Sequence, residues 1–193
     1  MGRPREYDPD TVLDRAVDVF WRKGFQGTSV QELVDATGIN RASMYGGYGS
    51  KEGLFQAALH RYIDAGSLVE ALDADDDTPF VTLVRAMFDE LVDIGATDPD
   101  LRGCFLTNTA VELGPHDAAA NEAVSDSIDA LEGALARRIR RAQHKGEIDI
   151  GIDNVALARF IITSMQGMRV LSRVRNDRRY LQDIADMVVL TFS

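Results

Sequence analysis

The chain has 193 residues, of which 45% are apolar and 27% are charged, and these values argue against a disordered or a fibrous protein. No run approaches the roughly 18 to 20 apolar residues of a membrane helix, and the N-terminal MGRPREYDPD has no signal-peptide core. We therefore expect a folded cytoplasmic protein without a membrane partner. Its single cysteine, Cys104, cannot form an internal disulfide.

The net charge of −10 argues against a nucleic-acid partner, since phosphate binding needs a basic surface. The acidity is unevenly distributed, however. Residues 1–66 hold 8 Lys and Arg against 9 Asp and Glu, whereas residues 67–193 hold 13 against 22. The N-terminal third is therefore nearly neutral, and it is the part of the chain best suited to approach DNA.

Four helices are predicted in this N-terminal third, from apolar residues at helical spacing and from the residues that cap them. They span Asp10–Gly24, Thr28 or Ser29 to Gly38, Ile39–Tyr45, and a longer stretch from Ser50. Gln31 or Glu32, three residues after a candidate cap, completes a capping-box pattern for the second helix. The third helix is too short to be stable alone, where roughly 12 to 15 residues are needed, so its neighbours must support it.

The rest of the chain is also predicted to be helical. An acidic linker candidate, EALDADDDTP, lies between Gly66 and Pro79, and it divides the chain into domains of residues 1–66 and 67–193. Beyond it the expected helices lie near 79–95, 99–113, 117–145, 153–174 and 178–192. The predicted fold class is all-α, with about nine helices.

The second and third helices fit a helix-turn-helix, in which the later helix enters the major groove by its N-terminal residues. Such a recognition helix presents polar or small side chains and is held by few apolar ones. In GINRASMYGGYG only Ile39, Met44 and Ala42 are expected to face inward. The pattern therefore predicts an N-terminal DNA-binding domain, followed by a second helical domain.

Residues 10–63 resemble the DNA-binding domain of the TetR family of bacterial transcriptional regulators. The resemblance rests on AVDVFWRKGFQGTSV, ELVDATGINRASMY and YGSKEGLFQAAL, in that order and spacing. It implies a homodimer that binds a double-stranded DNA operator and a helical C-terminal domain that binds a small-molecule effector. It also implies repression of transcription that the effector relieves.

Five residues are predicted to contact the DNA backbone. Thr28 and Ser29 lie where a helix begins, and hydroxyls and free N–H groups at such a place can hold a phosphate, although Thr28 could also be a cap alone. Lys51, one residue into the following helix, can meet a neighbouring phosphate. Tyr45 resembles a phosphate contact of the family, whereas the aromatic residue at the position of Tyr48 more often packs inward.

Three further residues, Asn40, Arg41 and Ser43, are candidates for contacts with base edges. Arginine pairs with guanine O6 and N7, and asparagine pairs with adenine. The N-terminal arm GRPR carries Arg3 and Arg5, which suit an A·T-rich minor groove. A frayed arm without a function is the alternative interpretation.

The helices near 153–174 and 178–192 carry apolar stripes wider than one core face requires. A helix that is apolar on more than one side must bury its second side elsewhere. Pairing both helices with their copies in a second chain forms a four-helix bundle, so we expect a homodimer through these helices. A twofold dimer also supplies two recognition helices for two half-sites.

The stretch RGCFLTNTAVELGPHD resembles a helix that, in one group of the family, lies beside the ligand cavity. It mixes polar residues with apolar ones, as the wall of a pocket does. The candidate ligand-binding residues are Phe105, Thr107, Asn108, Thr109, Glu112 and Met165. The alternative is that the polar members bond to the backbone or face the neighbouring chain.

Cys104 has two interpretations. Related regulators of this RGC type include sensors of oxidants or electrophiles, and a thiol near Arg102 could have a lowered pKa, which favours a redox role. A buried, inert cysteine is the competing interpretation.

The predicted function is a ligand-responsive DNA-binding regulator, released from its operator when the effector shifts the population to a conformation with wrongly spaced recognition helices. The helix from Ser50 is the expected lever. An enzyme is the alternative from another class, but the sequence has no nucleophile elbow, metal-ligand spacing or phosphate loop. We therefore expect no catalytic activity, no metal and no cofactor.

Overall fold

The computed structural model describes residues 8–66, 68–74 and 77–192, and every regular element in these ranges is a helix. The ten helices of the described residues are α1 (Pro9–Lys23), α2 (Val30–Thr37), α3 (Arg41–Tyr48), α4 (Lys51–Asp64), α5 (Leu68–Asp73), α6 (Phe80–Thr97), α7 (Phe105–Glu112), α8 (Ala118–His144), α9 (Asn154–Leu171) and α10 (Arg178–Leu190). The all-α prediction is confirmed. None of these helices combines the length and hydropathy that crossing a membrane requires. Arg3 and Arg5 lie outside the described residues.

The helices group into two compact units. The first contains the described residues of Met1–Gly66 and of Asn108–Val124, and the second contains those of Ser67–Thr107 and of Ser125–Ser193. One boundary between the units falls after residue 66, and residues 108–124 group with the N-terminal part of the chain. Within the first unit, Glu112 bonds to the backbone of the α1–α2 loop. The predicted domains of residues 1–66 and 67–193 stay a prediction.

The first unit is built on the packing of α1 against α2 and α4. Three aromatic rings form the centre: Phe55 meets Phe20 edge to face at 5.1 Å and Phe25 at 5.2 Å between ring centroids. Arg61 on α4 also donates to the Asp14 carboxylate of α1 at 2.8 Å. The apolar faces predicted for the first and fourth helices thus meet each other, and they form the scaffold for the helix-turn-helix.

The second unit is built around α6, which packs against α9 and α10. Its core consists of aromatic and aliphatic side chains, among them Phe88, Leu135, Ile161 and Leu181. Polar groups at the start of α6 are satisfied from elsewhere in the unit. The Phe80 N–H donates to the Glu147 carboxylate at 2.7 Å, and the buried Arg138 donates to the Thr78 carbonyl.

The acidic segment predicted as a linker is partly helical. α5 occupies Leu68–Asp73, with Leu72 fully buried. Asp73 at its end forms an ion pair with Arg137 at 2.7 Å, and this pairing lowers the pKa of Asp73 below its ordinary value. Residues 70–73 of the predicted linker are therefore part of the second unit, because buried Leu72 and the ion pair of Asp73 with Arg137 of α8 hold them there.

α7 begins at Phe105, six residues later than the predicted start near 99. Asp98 ends α6, and its carboxylate accepts hydrogen bonds from the N–H groups of Asp100 and Arg102 at 3.2 and 2.8 Å. Gly103 then adopts a φ of 66°, which is outside the helical region. This local turn replaces the first turns of the expected helix.

Candidate nucleic-acid interface

The first helix of the predicted motif, α2, begins with a complete capping box. Ser29 Oγ accepts from the Glu32 N–H at 3.2 Å, and the Glu32 carboxylate accepts from the Ser29 N–H at 2.8 Å. The same carboxylate binds the Lys23 ammonium. The hydrogen bond from Lys23 and those from Ser29 lower the pKa of Glu32 to about 2. The capping box expected here is confirmed, with Ser29 as the cap.

The N-terminus of α2 is already occupied by protein groups. Thr28 is 2% exposed, and its hydroxyl donates to the Gly24 carbonyl at 2.6 Å. The Ser29 hydroxyl donates to the Glu32 carboxylate at 2.7 Å. A carboxylate at this end competes with a phosphate for the positive end of the helix dipole. In the structure the hydroxyls of Thr28 and Ser29 thus make packing and capping contacts, and the expected phosphate contacts stay a prediction.

The recognition helix of the motif is α3, and two apolar residues anchor it. Met44 is fully buried, and Ile39, just before the helix, is also buried, as expected. Ala42, which we expected to face inward, is exposed. Asn40 caps the helix, because its Oδ1 accepts from the Ser43 N–H at 2.8 Å. Most of α3 is thus free of the core.

The outward face of α3 carries hydrogen-bond donors and no acidic side chain. Arg41 is exposed, and its Nη2 donates to Gln31 Oε1 of α2 at 3.0 Å. Tyr45 is 46% exposed, whereas Tyr48 and Ser43 are half-buried. A guanidinium can pair with guanine and a phenol can donate to a phosphate, so this face has the chemistry that a DNA groove requires.

Lys51 is bonded to the α1–α2 loop in the structure, and its expected phosphate contact stays a prediction. Its Nζ donates to the carbonyl oxygens of Phe25 and Thr28, each at 3.0 Å, and lies 4.1 Å from the centre of the Phe25 ring. Two of its three N–H groups are therefore used inside the first unit. This geometry makes Lys51 a tie between α4 and the α1–α2 loop, and it does not favour a phosphate contact.

The six predicted ligand residues fall in both compact units. Phe105, Thr107 and Met165 belong to the second unit, where Phe105 and Met165 are buried. The Thr107 hydroxyl donates to Gln166 Oε1 of α9 at 2.5 Å. Of these three residues, Met165 belongs to the hydrophobic core of the second unit, and a ligand-binding role for them stays a prediction.

The other three predicted ligand residues, Asn108, Thr109 and Glu112, belong to the first unit. Asn108 is half-buried. Thr109 is buried, and its Oγ1 has no hydrogen-bond partner within the described part of the chain. The Glu112 carboxylate accepts from the N–H groups of Phe25 and Gln26, so the structure engages it with the protein backbone and not with an open cavity.

A small cavity of about 20 Å³ lies within the second unit, and this volume holds roughly one water molecule. It is lined by Leu91, Ile94, Gly95, Asp98, Leu101, Gly103, Arg169 and Ser172. None of the predicted ligand residues is in that lining. The cavity is too small for an organic effector as it stands.

Cys104 is buried, just before α7, with 3% of the residue exposed. Its neighbour Arg102 donates from Nε to the Asp98 carboxylate at 3.3 Å. A buried thiol is poorly accessible to an oxidant in bulk solvent, so this placement favours the inert interpretation.

Two features of this region were missed from the sequence. Gln31 holds Arg41, and Glu112 holds the α1–α2 loop although it lies 86 and 87 residues away from its two partners. Gln31 could have been found from its exposed position in the first turn of the helix preceding α3. No local sequence pattern predicts a contact between residues as far apart in the chain as Glu112 and the loop.

Comparison with known proteins supports both halves of the motif-based interpretation. The family model described as "Bacterial regulatory proteins, tetR family" matches residues 12–58. The model described as "Tetracyclin repressor-like, C-terminal domain" matches residues 81–188. The two matches cover the helix-turn-helix and most of the second unit.

Individual relatives agree over nearly the whole chain. It is 34% identical over 191 residues to the uncharacterized HTH-type transcriptional regulator YezE of Bacillus subtilis (strain 168), covering 97% of each chain. It is 30% identical over 185 residues to the HTH-type transcriptional repressor ComR of Escherichia coli (strain K12), covering 95% of this chain and 88% of ComR.

A solved structure agrees with these relatives. A cysteine mutant of the TetR family transcriptional regulator CifR, complexed with 26-bp double-strand operator DNA, is similar with a TM-score of 0.86. The two chains are 30% identical, and the match covers 100% of each. The fold, the helix-turn-helix and these relatives together place the chain in the TetR family of bacterial transcriptional regulators.

Proposed function

We propose that the chain is a cytoplasmic, homodimeric repressor without catalytic activity that binds an operator through α3 and leaves it when a small-molecule effector binds. The observation that carries this proposal is the outward face of α3, with exposed Arg41 and Tyr45 above the buried anchor Met44. The similarity to operator-bound CifR supports it.

We assign the proposed DNA contacts according to the exposure of each side chain and the hydrogen-bonding groups that it carries. Arg41 is the main candidate for a base edge, because its guanidinium is exposed and can bond to guanine in a bidentate way. Ser43 stays a further candidate for a base edge. Tyr45 is proposed as a phosphate contact, with Tyr48 as a weaker candidate. Arg3 and Arg5 keep their proposed role in the minor groove, which rests on the sequence alone.

Exposed apolar residues on α9 and α10 support the homodimer. Phe160 and Leu171 lie on one face of α9, since eleven residues make about three turns, and Met187 and Leu190 share a face of α10. Between the first two, a side chain at Gly167 would meet nothing within 4 Å. A second copy of the chain would cover this stripe, and Gly167 would let two helices approach closely.

The effector part of the proposal rests on α7 and α9. Phe105, Thr107 and Met165 are proposed as effector contacts within the second unit. Asn108 and Thr109, which belong to the first unit, stay candidates from the sequence alone. Phe105 and Met165 are already buried, so an effector would have to select a more open conformation. That requirement is what would couple binding to DNA release.

A thiol-based sensor using Cys104 is the second candidate function. The burial of Cys104 does not favour it. Replacing Cys104 with Ser separates the two: if oxidants release operator DNA equally from both forms, thiol sensing by this residue is excluded.

The direct test of the proposal is a selection of binding sites from random duplexes with the full chain and no effector. We expect enrichment of a pseudo-palindromic site, with half-sites one helical turn or a multiple of it apart. Small molecules can then be screened for release of the selected duplex. The proposal fails if no duplex is preferred over scrambled competitor.

A further inference from the structure

The loop between α1 and α2 is held by a carboxylate from far along the chain. Glu112 Oε2 accepts from the Phe25 N–H at 3.0 Å, and Glu112 Oε1 accepts from the Gln26 N–H at 2.7 Å. Hydrogen bonds in which the acceptor is ionised are roughly twice as strong as neutral ones. Both partners belong to the first compact unit, so this pair is part of the frame of the helix-turn-helix.

Gly24 shows how closely the carboxylate and the loop fit. Its φ is 74°, which an L side chain rarely adopts. A Cβ atom at this position would also lie 2.5 Å from Glu112 Oε2, well inside contact distance. The backbone angle therefore favours glycine here, and a side chain at this position would also push the carboxylate away from the loop.

The carbonyl groups of the same loop accept hydrogen bonds from other side chains. Lys51 donates to the carbonyls of Phe25 and Thr28, and the Thr28 hydroxyl donates to the Gly24 carbonyl. The amides thus bond to an anion and the carbonyls to a cation and a hydroxyl. Removing Glu112 would leave two N–H donors without their partner while the other contacts remain.

We propose that Glu112 is a positioning residue for DNA recognition, which sets the α1–α2 loop and through it the helix-turn-helix. The loop leads directly into α2, whose Gln31 holds the Arg41 guanidinium of α3. A shift of the loop would therefore move α2 and the side chain proposed to read bases. The inference rests on the proposed operator binding by α3.

The experiment compares Glu112→Gln with Glu122→Gln in the full-length chain. Glu122 is an exposed residue of α8, so its variant removes the same negative charge without touching the loop. Three quantities are measured: amide hydrogen exchange at Phe25 and Gln26, affinity for the selected operator, and affinity for a scrambled duplex of equal length. Thermal unfolding by circular dichroism shows whether each variant is folded.

We expect exchange at Phe25 and Gln26 to become at least about tenfold faster in Glu112→Gln, since one charge-assisted bond is lost and another weakened. We expect its operator affinity to fall at least about fivefold, with little change for the scrambled duplex. Loss of a negative charge alone would tighten DNA binding, so the sign separates positioning from electrostatics. A smaller fraction of folded protein would weaken both affinities equally.

The inference is overturned if Glu112→Gln binds both duplexes as Glu122→Gln does, or if both affinities fall by the same factor. Should Glu112→Gln fail to fold, Glu112→Asp takes its place, because it keeps the charge but shortens the reach by one methylene. A wild-type chain that prefers no operator would instead refute the proposed function, and the two failures are therefore distinguishable.

Discussion

The Oδ1 atom of Asn40 caps α3 and is also needed for the contact with adenine that we propose. It accepts the Ser43 N–H at 2.8 Å. Bidentate pairing of asparagine with adenine uses both that oxygen and the amide N–H₂ group. An amide oxygen has two lone pairs and can accept both bonds, but the cap fixes the orientation of the side chain, and adenine must fit that orientation.

Arg41 is therefore the residue on which sequence preference should depend most. In Arg41→Ala we expect discrimination at one base pair of each half-site to fall by about 1–3 kcal/mol, because the guanidinium that would pair with guanine is lost. The measurement is binding to operators with every base tested at each position. Arg22→Ala, which removes an exposed positive charge on α1, is the control and should leave base preferences unchanged.

A second prediction for a single residue concerns Lys51 and the stability of the fold. Lys51→Met keeps the apolar stem but removes the ammonium that donates to Phe25 and Thr28. We expect the free energy of unfolding to fall by about 1–3 kcal/mol, measured by urea denaturation of the full chain. In the exposed pair of Lys145 with Asp77, Lys145→Met should cost at most about 1 kcal/mol.

The salt dependence of operator binding should stay unchanged in Lys51→Met, because the ammonium is engaged inside the protein. A salt slope smaller by about one would contradict this and would restore the phosphate contact expected from the sequence.

Among the helices, α2 has a capping box that makes the free energy of unfolding depend on pH. The pKa of Glu32 is about 2 in the folded chain against an ordinary value of 4.5, because Lys23 and Ser29 donate to the ionised carboxylate. A lowered folded-state pKa contributes stability above pH 4.5, and this contribution is lost as the pH falls towards 2. Glu32→Gln should therefore show a smaller loss of stability between pH 5 and pH 3 than the wild type.

Urea denaturation at both pH values measures that difference, and titration of the Glu32 carboxyl by nuclear magnetic resonance checks its origin. A Glu32 pKa near 4.5 in the folded chain would contradict the prediction. The comparison of wild type and variant removes the contribution of the other carboxylates, which titrate in both.

Helical spacing and caps predicted most of the elements, because both signals are local. Ser29 and Ser50 cap α2 and α4, and Met44 anchors α3 as its spacing indicated. α5 was missed because it has six residues and is held by tertiary contacts of Leu72. The late start of α7 depends on a turn around Asp98 that periodicity does not detect.

The candidate site was predictable in part for the same reason. The exposure of Arg41 and Tyr45 follows from the pattern of a short polar helix. The roles of Lys51 and Glu112 do not, since each depends on backbone groups of a distant loop. A charged side chain near a motif suggests a ligand from sequence alone, and here the partner is the protein's own main chain.

At the scale of the whole molecule, the proposed homodimer depends on the apolar stripe of α9 and α10. Leu190→Asp places a charge on that stripe, where Leu190 is 65% exposed, and burying an unpaired charge in an interface is costly. We expect sedimentation to show monomers and operator binding to be lost. The control is Ile150→Asp, which places the same charge at an exposed apolar residue outside both helices and should leave the dimer intact.

A Leu190→Asp variant that still sediments as a dimer would move the proposed interface away from α10. Circular dichroism of both variants distinguishes dissociation from unfolding, because the described contacts of α10 with α6 involve the opposite, buried face.

The exposed apolar stripe on α9 and α10 also makes repression depend on the amount of protein in the cell. In the proposed dimer, two chains must meet before both half-sites can be occupied, so assembly is linked to operator occupancy by mass action. When most chains are monomeric, the concentration of dimer rises with the square of the amount of protein in the cell. At an operator that is mostly occupied, halving the amount of protein would then raise the unoccupied fraction about fourfold, with no inducer present.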